Sequence, residues 1–145
     1  LLYRRALAAD AATMEHVFFQ NGWSNSWRDG IFDYHHFHSI AHEVLGIAAG
    51  RVTVAFGGPA GRVLAVAAGD VVVIPAGVGH CNQGQSSDLL VVGAYPGGAS
   101  YDICRGDPAD HARALAAIGR VGLPERDPVS GRDAPLRRLW SLAQG

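Results

Sequence analysis

Near the start of the chain, apolar residues recur at the spacing of a helix. Met14 and Phe18 lie four residues apart, which places them on one face of a helix. Asp10 can cap the N-terminus of that helix, and Asn21-Gly22 supplies a stop. The pattern predicts a helix over residues 11–20. The sequence GWSNSWRDG that follows is rich in glycine, serine and asparagine and predicts a loop.

Between residues 31 and 95 the pattern changes to short apolar runs separated by glycine-rich breaks. Each run has the length of a strand and is rich in valine, isoleucine or aromatic residues, and breaks such as AAGD and PAGVG are typical of turns. Closely spaced strands without intervening helices indicate a sandwich or a barrel. We therefore predict an all-β core whose strand-length runs are 32–38, 42–49, 51–56, 63–67, 70–74 and 88–95.

Helical signals return in the C-terminal third of the chain. Asp107 and Pro108 form a good N-cap and first helical residue, and they predict a helix that ends near Gly119. The remainder is punctuated by proline and is predicted to run extended over the surface. Its segment PLRRLW, at 135–140, can close one end of the core with its large apolar side chains, Leu136, Leu139 and Trp140.

Composition narrows the class of protein. A chain of 145 residues suits one domain, so we expect a single domain over residues 1–145. With 48% hydrophobic and 17% charged residues and 19 glycines, a turn-rich globular protein is expected rather than a disordered one. A formal net charge of -1 gives no reason to expect nucleic acid or a membrane surface as a partner.

The cysteines and the basic residues carry further information. The two cysteines form no CxxC pair and are too few for a disulfide scaffold, so we expect a reducing, cytoplasmic setting. All 12 basic residues are arginines. Chemistry that needs a lysine, such as Schiff-base formation or lysine-anchored pyridoxal phosphate, is therefore excluded.

The stretch DYHHFHSIAHE, residues 33–43, holds four histidines of a chain that has 7. Alternate side chains of a strand share a face. His36 and His38 are therefore expected to point one way, and His35 the other way.

A carboxylate and a further histidine can join this pair. If the chain turns after residue 38 and returns as the next strand, Glu43 reaches the same inner face and His42 turns outward. His80, at the end of IPAGVGH, is the obvious additional donor. Imidazole nitrogen and carboxylate oxygen suit a borderline divalent metal.

Two spaced motifs now resemble those of a known family. The first is similar to the first cupin motif at Gly30, His36, His38, Glu43 and Gly50. The second is similar to the second cupin motif at Gly69, Pro75, Gly77 and His80, although position 84 is glycine where the family usually has asparagine. Both motifs lie within residues 30–84.

A narrower resemblance extends over most of the chain. FHSIAHEVLGIAAG, GDVVVIPAGVGH and LLVVGAYPGG, followed by RGDP, DPVSG and PLRRLW, look like the YjlB-like single-domain cupins. The resemblance implies a jelly-roll β-barrel with flanking N- and C-terminal helices, and often a dimer. It also implies a divalent metal ion, which we expect to be Fe, Mn, Zn or Ni, held by His36, His38, Glu43 and His80. It implies no substrate.

A homodimer is also expected from the residues themselves. A jelly roll of this size has open sheet edges that need cover. The segments that flank the motifs carry bulky side chains of the kind that anchor interfaces, Trp23, Trp27, Leu136, Leu139 and Trp140.

Three histidines and one glutamate around a divalent ion leave open positions for a small molecule, and three functions follow. The first hypothesis is a metal-dependent oxidoreductase of dioxygenase type, acting on a small and largely apolar molecule because the predicted barrel wall is valine, isoleucine, leucine and alanine. The alternatives are a non-catalytic binding or structural cupin, and a metal-dependent isomerase or hydrolase. Catalysis needs an acid or base beyond the ligands, and the candidates are Tyr34 and His42.

Overall fold

Two antiparallel sheets dominate the structure, a computed structural model that describes residues 1–132 and 135–142. The strands are β1 (Leu2–Tyr3), β2 (Trp23–Asp29), β3 (Glu43–Ala49), β4 (Arg51–Phe56), β5 (Arg62–Ala67), β6 (Val71–Ile74), β7 (His80–Gln85) and β8 (Leu90–Pro96). The larger sheet has the order β1-β6-β3-β8-β2 and the smaller has the order β5-β4-β7. The helices are α1 (Ala11–Gln20), α2 (His111–Ile118) and α3 (Pro135–Leu142). The predicted all-β barrel with flanking helices is confirmed.

The alternation of side chains along the strands separates two hydrophobic clusters. Leu45 and Ile47 of β3 pack with Val52 and Val54 of β4, so this cluster fills the space between the sheets. Val44, which has the opposite parity, belongs to the cluster outside the larger sheet. Leu45, which begins the barrel interior, lies two residues after Glu43 and therefore on the same face of β3.

Helix α1 covers the outer face of the larger sheet. Met14 and Phe18 are fully buried there, and the Asp10 carboxylate accepts a hydrogen bond from the backbone N–H of Thr13 at 2.8 Å. Gly46 allows the helix to approach, because a Cβ at this position would lie 2.8 Å from Met14 Sδ. The predicted helix over residues 11–20 is confirmed with its cap.

The loop predicted for GWSNSWRDG is wrong, because this segment forms edge strand β2 beside β8. The pairing register shifts between Ser24 and Trp27, and Asn25 has a φ of 57°. A bulge of this kind tolerates short polar side chains on an exposed edge. The serine and asparagine residues that indicated a loop therefore lie at the bulge of a strand.

Two other predicted segments also differ from the structure. Residues 32–38 do not form a continuous strand but an extended segment with isolated bridges from His36 to His80 and from Phe37 to Cys104. The segment that contains PLRRLW is helical and not extended, since α3 turns Leu136 into the outer cluster. Proline at the first turn of a helix is tolerated because no backbone N–H is needed there.

The helix predicted from Asp107 to about Gly119 is confirmed. A 3-10 turn over Pro108–Asp110 leads into α2, and the Asp107 carboxylate accepts the N–H of Ala109 at 2.9 Å. Among the described residues, no helix has the length and apolarity needed to cross a lipid bilayer.

Candidate metal centre

Three histidines from two distant parts of the chain meet inside the barrel. The potential ligand atoms of His36, His38 and His80 lie within 4.8 Å of one another, and all three residues are buried. Glu43 joins them, since its Oε2 lies 3.1 Å from Nε2 of His38 and 3.1 Å from Nε2 of His80. The structure therefore brings together all four residues that the motifs indicated.

Backbone pairing places His36 beside His80. The N–H of His80 donates to the carbonyl of His36 at 2.8 Å, and the N–H of His36 donates back at 3.3 Å. The two rings lie 4.1 Å apart between centroids. Glu43 reaches the same space from the first position of β3, whose alternation turns it inward with Leu45.

His38 is held by two loops. Gly77, with a φ of 86°, donates its N–H to the His38 carbonyl at 2.8 Å, which ties the second motif to the first. The backbone carbonyl of Asp102 accepts a hydrogen bond from Nδ1 of His38, and its carboxylate accepts the N–H of Ser39 at 2.7 Å. Asp102 is a site residue that sequence reasoning missed, because nothing local to residue 102 indicates that its loop returns to the histidines.

The hydrogen bonds of the rings show that a cation fits this donor set. Nδ1 of each ring faces a backbone carbonyl, which accepts only, so each Nδ1 carries a hydrogen, and Nε2 is the nitrogen that can bind a metal ion through its lone pair once it is deprotonated. These carbonyls belong to Tyr34, Asp102 and Val78. For His38 and His80, Nε2 then faces Glu43 Oε2, a second acceptor. A divalent metal ion held by these atoms would satisfy all of them.

The pKa values of His36 and Glu43 agree with their ligand forms. Burial lowers the pKa of His38, but its hydrogen bond to Glu43 outweighs this and raises it, so a metal ion would have to displace a proton from that ring. Burial and the neighbouring His80 lower the pKa of His36 to about 4, so this ring is neutral at pH 7. Burial raises the pKa of Glu43, but hydrogen bonds from His38 and His80 outweigh it and set the value at about 2. Glu43 is therefore an anion and His36 a lone-pair donor throughout the neutral range.

A network of three aromatic residues supports the Glu43 carboxylate on the side of Oε1. The Tyr95 hydroxyl donates to Glu43 Oε1 at 3.0 Å, and Trp27 Nε1 donates to the Tyr95 hydroxyl at 2.8 Å. Tyr101 stacks on Tyr95 with 4.5 Å between ring centroids. Sequence reasoning missed this network, because the strand pairing that brings Trp27 to Gly93 is not visible before the bulge in β2 is known.

A cavity of about 280 Å³ opens over the four residues. Its wall is more aromatic than predicted, since Trp27, Tyr95 and Tyr101 line it with Leu45. The expected aliphatic wall is found only in part, at Ile31, Leu45 and Ile103, because most of the valine and isoleucine side chains pack deeper between the sheets. Half-exposed apolar residues surround the mouth, Phe32 at 47% exposure and Ile103 at 46%.

Tyr34 lies beside the mouth and outside the set of residues that line the cavity. Its ring stacks on Phe32 at 4.9 Å and meets the edge of His36 at 5.6 Å. The guanidinium of Arg105 lies 3.9 Å from the centre of the Tyr34 ring. Tyr34 contributes its backbone carbonyl to the orientation of His36.

His42 points away from the cavity and is buried among other groups. Its Nε2 donates to the carbonyl of Gly122 at 3.0 Å, and its Nδ1 accepts the N–H of Ala76 at 2.9 Å. The Trp140 ring lies 4.9 Å away. Burial lowers the pKa of His42, in keeping with a neutral ring that must accept at one nitrogen and donate at the other. Both ring nitrogens are thus engaged by the backbone.

Comparison with known proteins gives the family. Residues 30–96 match the family described as Cupin. The protein YjlB of Bacillus subtilis (strain 168), described as uncharacterized, is 42% identical over 140 residues, which are 97% of this chain and 84% of that protein. The chain belongs to the YjlB-like cupins.

Solved structures are similar to this chain only in part. Acireductone dioxygenase from Bacillus anthracis, with cadmium in its active centre, is 17% identical with a TM-score of 0.45, over 61% of this chain and 59% of that one. Oxalate decarboxylase from Lactobacillus farciminis is 20% identical with a TM-score of 0.42, over 61% of this chain and 30% of that one. The chain spans less than two thirds of the length of either structure.

Proposed function

We propose that this cupin is a metal-dependent oxidoreductase of dioxygenase type that acts on a small, largely apolar molecule. The observation that carries the proposal is the placement of three imidazole rings and one carboxylate at the floor of an aromatic cavity that opens to solvent. His36, His38, Glu43 and His80 would hold the metal ion. When bound, a redox-active divalent metal supplies open positions at which dioxygen and a chelating substrate can meet.

The chain's own residues shape what can enter. Trp27 and Tyr101 present apolar faces to the cavity, and Phe32 and Ile103 surround its mouth. Such walls exclude water and favour an uncharged molecule with little polar surface beyond its metal-binding end. Arg28, a cation at the rim, is already paired with Glu15 at 2.7 Å, so a free carboxylate on the substrate would gain little from it.

The ionisable groups of the cavity favour oxidation over hydrolysis or isomerisation. Those two reactions need a side chain that moves protons beside the metal. Apart from the ligands, the ionisable residues that line the described cavity are Arg28, Asp29, Tyr95 and Tyr101. Burial and the Glu43 charge raise the pKa of Tyr95, and its hydroxyl is already engaged on both sides. Tyr34, beside the mouth, is the candidate to contact a bound substrate, whereas we assign His42 a structural role.

The same scarcity of proton-moving groups supports a second candidate, a cupin that binds a small molecule without turnover. Dioxygen uptake separates the two. Protein loaded with Fe²⁺ or Mn²⁺ is mixed with small diketones, catechols and thiols, and uptake is followed with an oxygen electrode. Stoichiometric uptake that is lost in His80→Ala supports the oxidoreductase. Tight ligand binding without uptake for any compound supports the binding protein and overturns the proposal.

A further inference from the structure

The two carboxylate oxygens of Glu43 face different groups. Oε2 lies 3.1 Å from Nε2 of both His38 and His80. Oε1 accepts the hydroxyl hydrogen of Tyr95 at 3.0 Å. Glu43 is only 2% exposed, so bulk water does not compete for either oxygen. One oxygen therefore points toward the histidines and the other is held away from them.

Trp27 fixes the direction in which the Tyr95 hydroxyl donates. The indole N–H of Trp27 points at this hydroxyl from 2.8 Å. An indole N–H can only donate, so the Tyr95 oxygen accepts from it and its own hydrogen is available to Glu43. The ionised carboxylate accepts that hydrogen, and hydrogen bonds to charged groups are the stronger ones. The donors thus run in one direction, from Trp27 through Tyr95 to Glu43.

Close packing keeps Trp27 in this position. Gly93 of β8 lies opposite Trp27 in the strand pairing, and a Cβ at Gly93 would lie only 2.1 Å from Cε2 of the indole. The absence of a side chain at residue 93 therefore lets the ring lie flat against the strand. On its other side Tyr95 is backed by the stacked ring of Tyr101.

We propose that Trp27 and Tyr95 are positioning residues that make Glu43 a ligand through Oε2 alone. This inference rests on the metal site of the proposed function and adds to it. A carboxylate free to turn can offer both oxygens to a metal ion, which would occupy a position that substrate or dioxygen needs. By holding Oε1, Tyr95 keeps that position open.

Tyr95→Phe tests the proposal, because it removes the hydroxyl and keeps the stacked ring. Metal-free protein is titrated with Co²⁺, whose visible absorption weakens as its coordination number rises. We expect the variant to bind Co²⁺ about tenfold more weakly, as for other groups that orient ligands. We also expect weaker visible absorption per bound ion, because Oε1 is released and joins the coordination.

Tyr3→Phe is the matched control. It removes a tyrosine hydroxyl from another buried carboxylate, Asp127, far along the chain from the metal centre. Its Co²⁺ affinity and spectrum should equal those of the unchanged protein. If Tyr95→Phe is not folded by circular dichroism, Trp27→Phe is measured instead, with a smaller change in the same direction.

The outcomes separate the two proposals. A wild-type protein that does not bind Co²⁺ contradicts the metal site itself. A wild-type protein that binds Co²⁺, together with a folded Tyr95→Phe of the same affinity and spectrum, leaves the metal site standing and overturns the positioning role of Tyr95.

Discussion

His42 and Glu43 are neighbours in the chain, yet their side chains serve different parts of the molecule. Glu43 points into the barrel between His38 and His80. His42 joins the carbonyl of Gly122 to the N–H of Ala76, which lies in the loop that leads to His80. The start of β3 thus provides one metal-binding side chain and one that fixes the surrounding loops.

We predict that His42→Ala keeps the metal and loses stability. Two hydrogen bonds to buried backbone groups disappear, so the free energy of unfolding should fall by about 1–3 kcal/mol. Metal content by mass spectrometry and unfolding in urea measure the two effects. His16→Ala, at an exposed position of α1, should change neither. Complete metal loss from a folded His42→Ala would show that this ring belongs to the metal centre after all.

Gly93→Ala should disturb the metal centre from a distance. The new methyl group would overlap the Trp27 indole, whose nearest atoms lie 2.1 to 2.6 Å from the Cβ position. Overpacking of this kind costs roughly 1–3 kcal/mol and here also displaces the donor to Tyr95. Urea unfolding and metal affinity should both weaken. Gly122→Ala is the control, since nothing lies within 4 Å of its Cβ position. Equal stability of the two variants would contradict the close contact.

The sequence could predict the metal ligands because they obey local rules. His36 and His38 are two residues apart, so they point to the same face of an extended segment. Their spacing to Glu43 and His80 matches the family motifs. Those rules hold even though residues 32–38 form no continuous strand, because an extended segment alternates in the same way.

The supporting residues could not be predicted, because they depend on contacts between distant segments. Tyr95 meets Glu43 across 52 residues, and the Asp102 carbonyl meets His38 across 64. Likewise the sequence places Trp27 in a predicted loop, and its contact with Tyr95 follows only from the bulged strand β2. The spacing of residues along the sequence does not indicate such pairings, since they are fixed by the order of strands in the sheet.

Asp70 should make stability depend on pH. Burial raises the pKa of its carboxyl, but hydrogen bonds from the N–H groups of Arg5 and Ala67 and from Arg4 outweigh this, so the pKa lies below its usual range. The ionised group therefore stabilises the fold above its unfolded pKa of about 3.9, and that contribution is lost as pH falls through the folded pKa.

Asp70→Asn tests this contribution. We expect the free energy of unfolding of the variant to be about 1–3 kcal/mol lower than that of the wild type at pH 7. This difference should shrink on acidification. Urea titrations between pH 7 and pH 3 measure it. Asp88→Asn, at an exposed position, is the control. A difference that stays constant over this range would contradict the role of the ionised form.

A homodimer remains a prediction, but the structure points to other interface residues than the sequence did. Of the residues expected to anchor an interface, Trp23 and Leu136 are fully buried within their own chain, and Leu139 is 50% exposed. Phe19 and Ile40 are the better candidates, because they are 69% and 45% exposed and border the same groove. Sedimentation at micromolar concentration should show a dimer that Phe19→Ser weakens. A monomeric wild-type protein would contradict the prediction.

The metal content of the purified protein tests the central claim most directly. Protein from cells grown without added metal is analysed by inductively coupled plasma mass spectrometry, alongside the double variant His36→Ala/His80→Ala. We predict about one divalent ion per wild-type chain and none in the double variant, whose circular dichroism stays unchanged because the hydrophobic clusters and not the ion supply most of the stability. Full metal occupancy in the folded double variant would contradict the assignment of these residues as the metal centre.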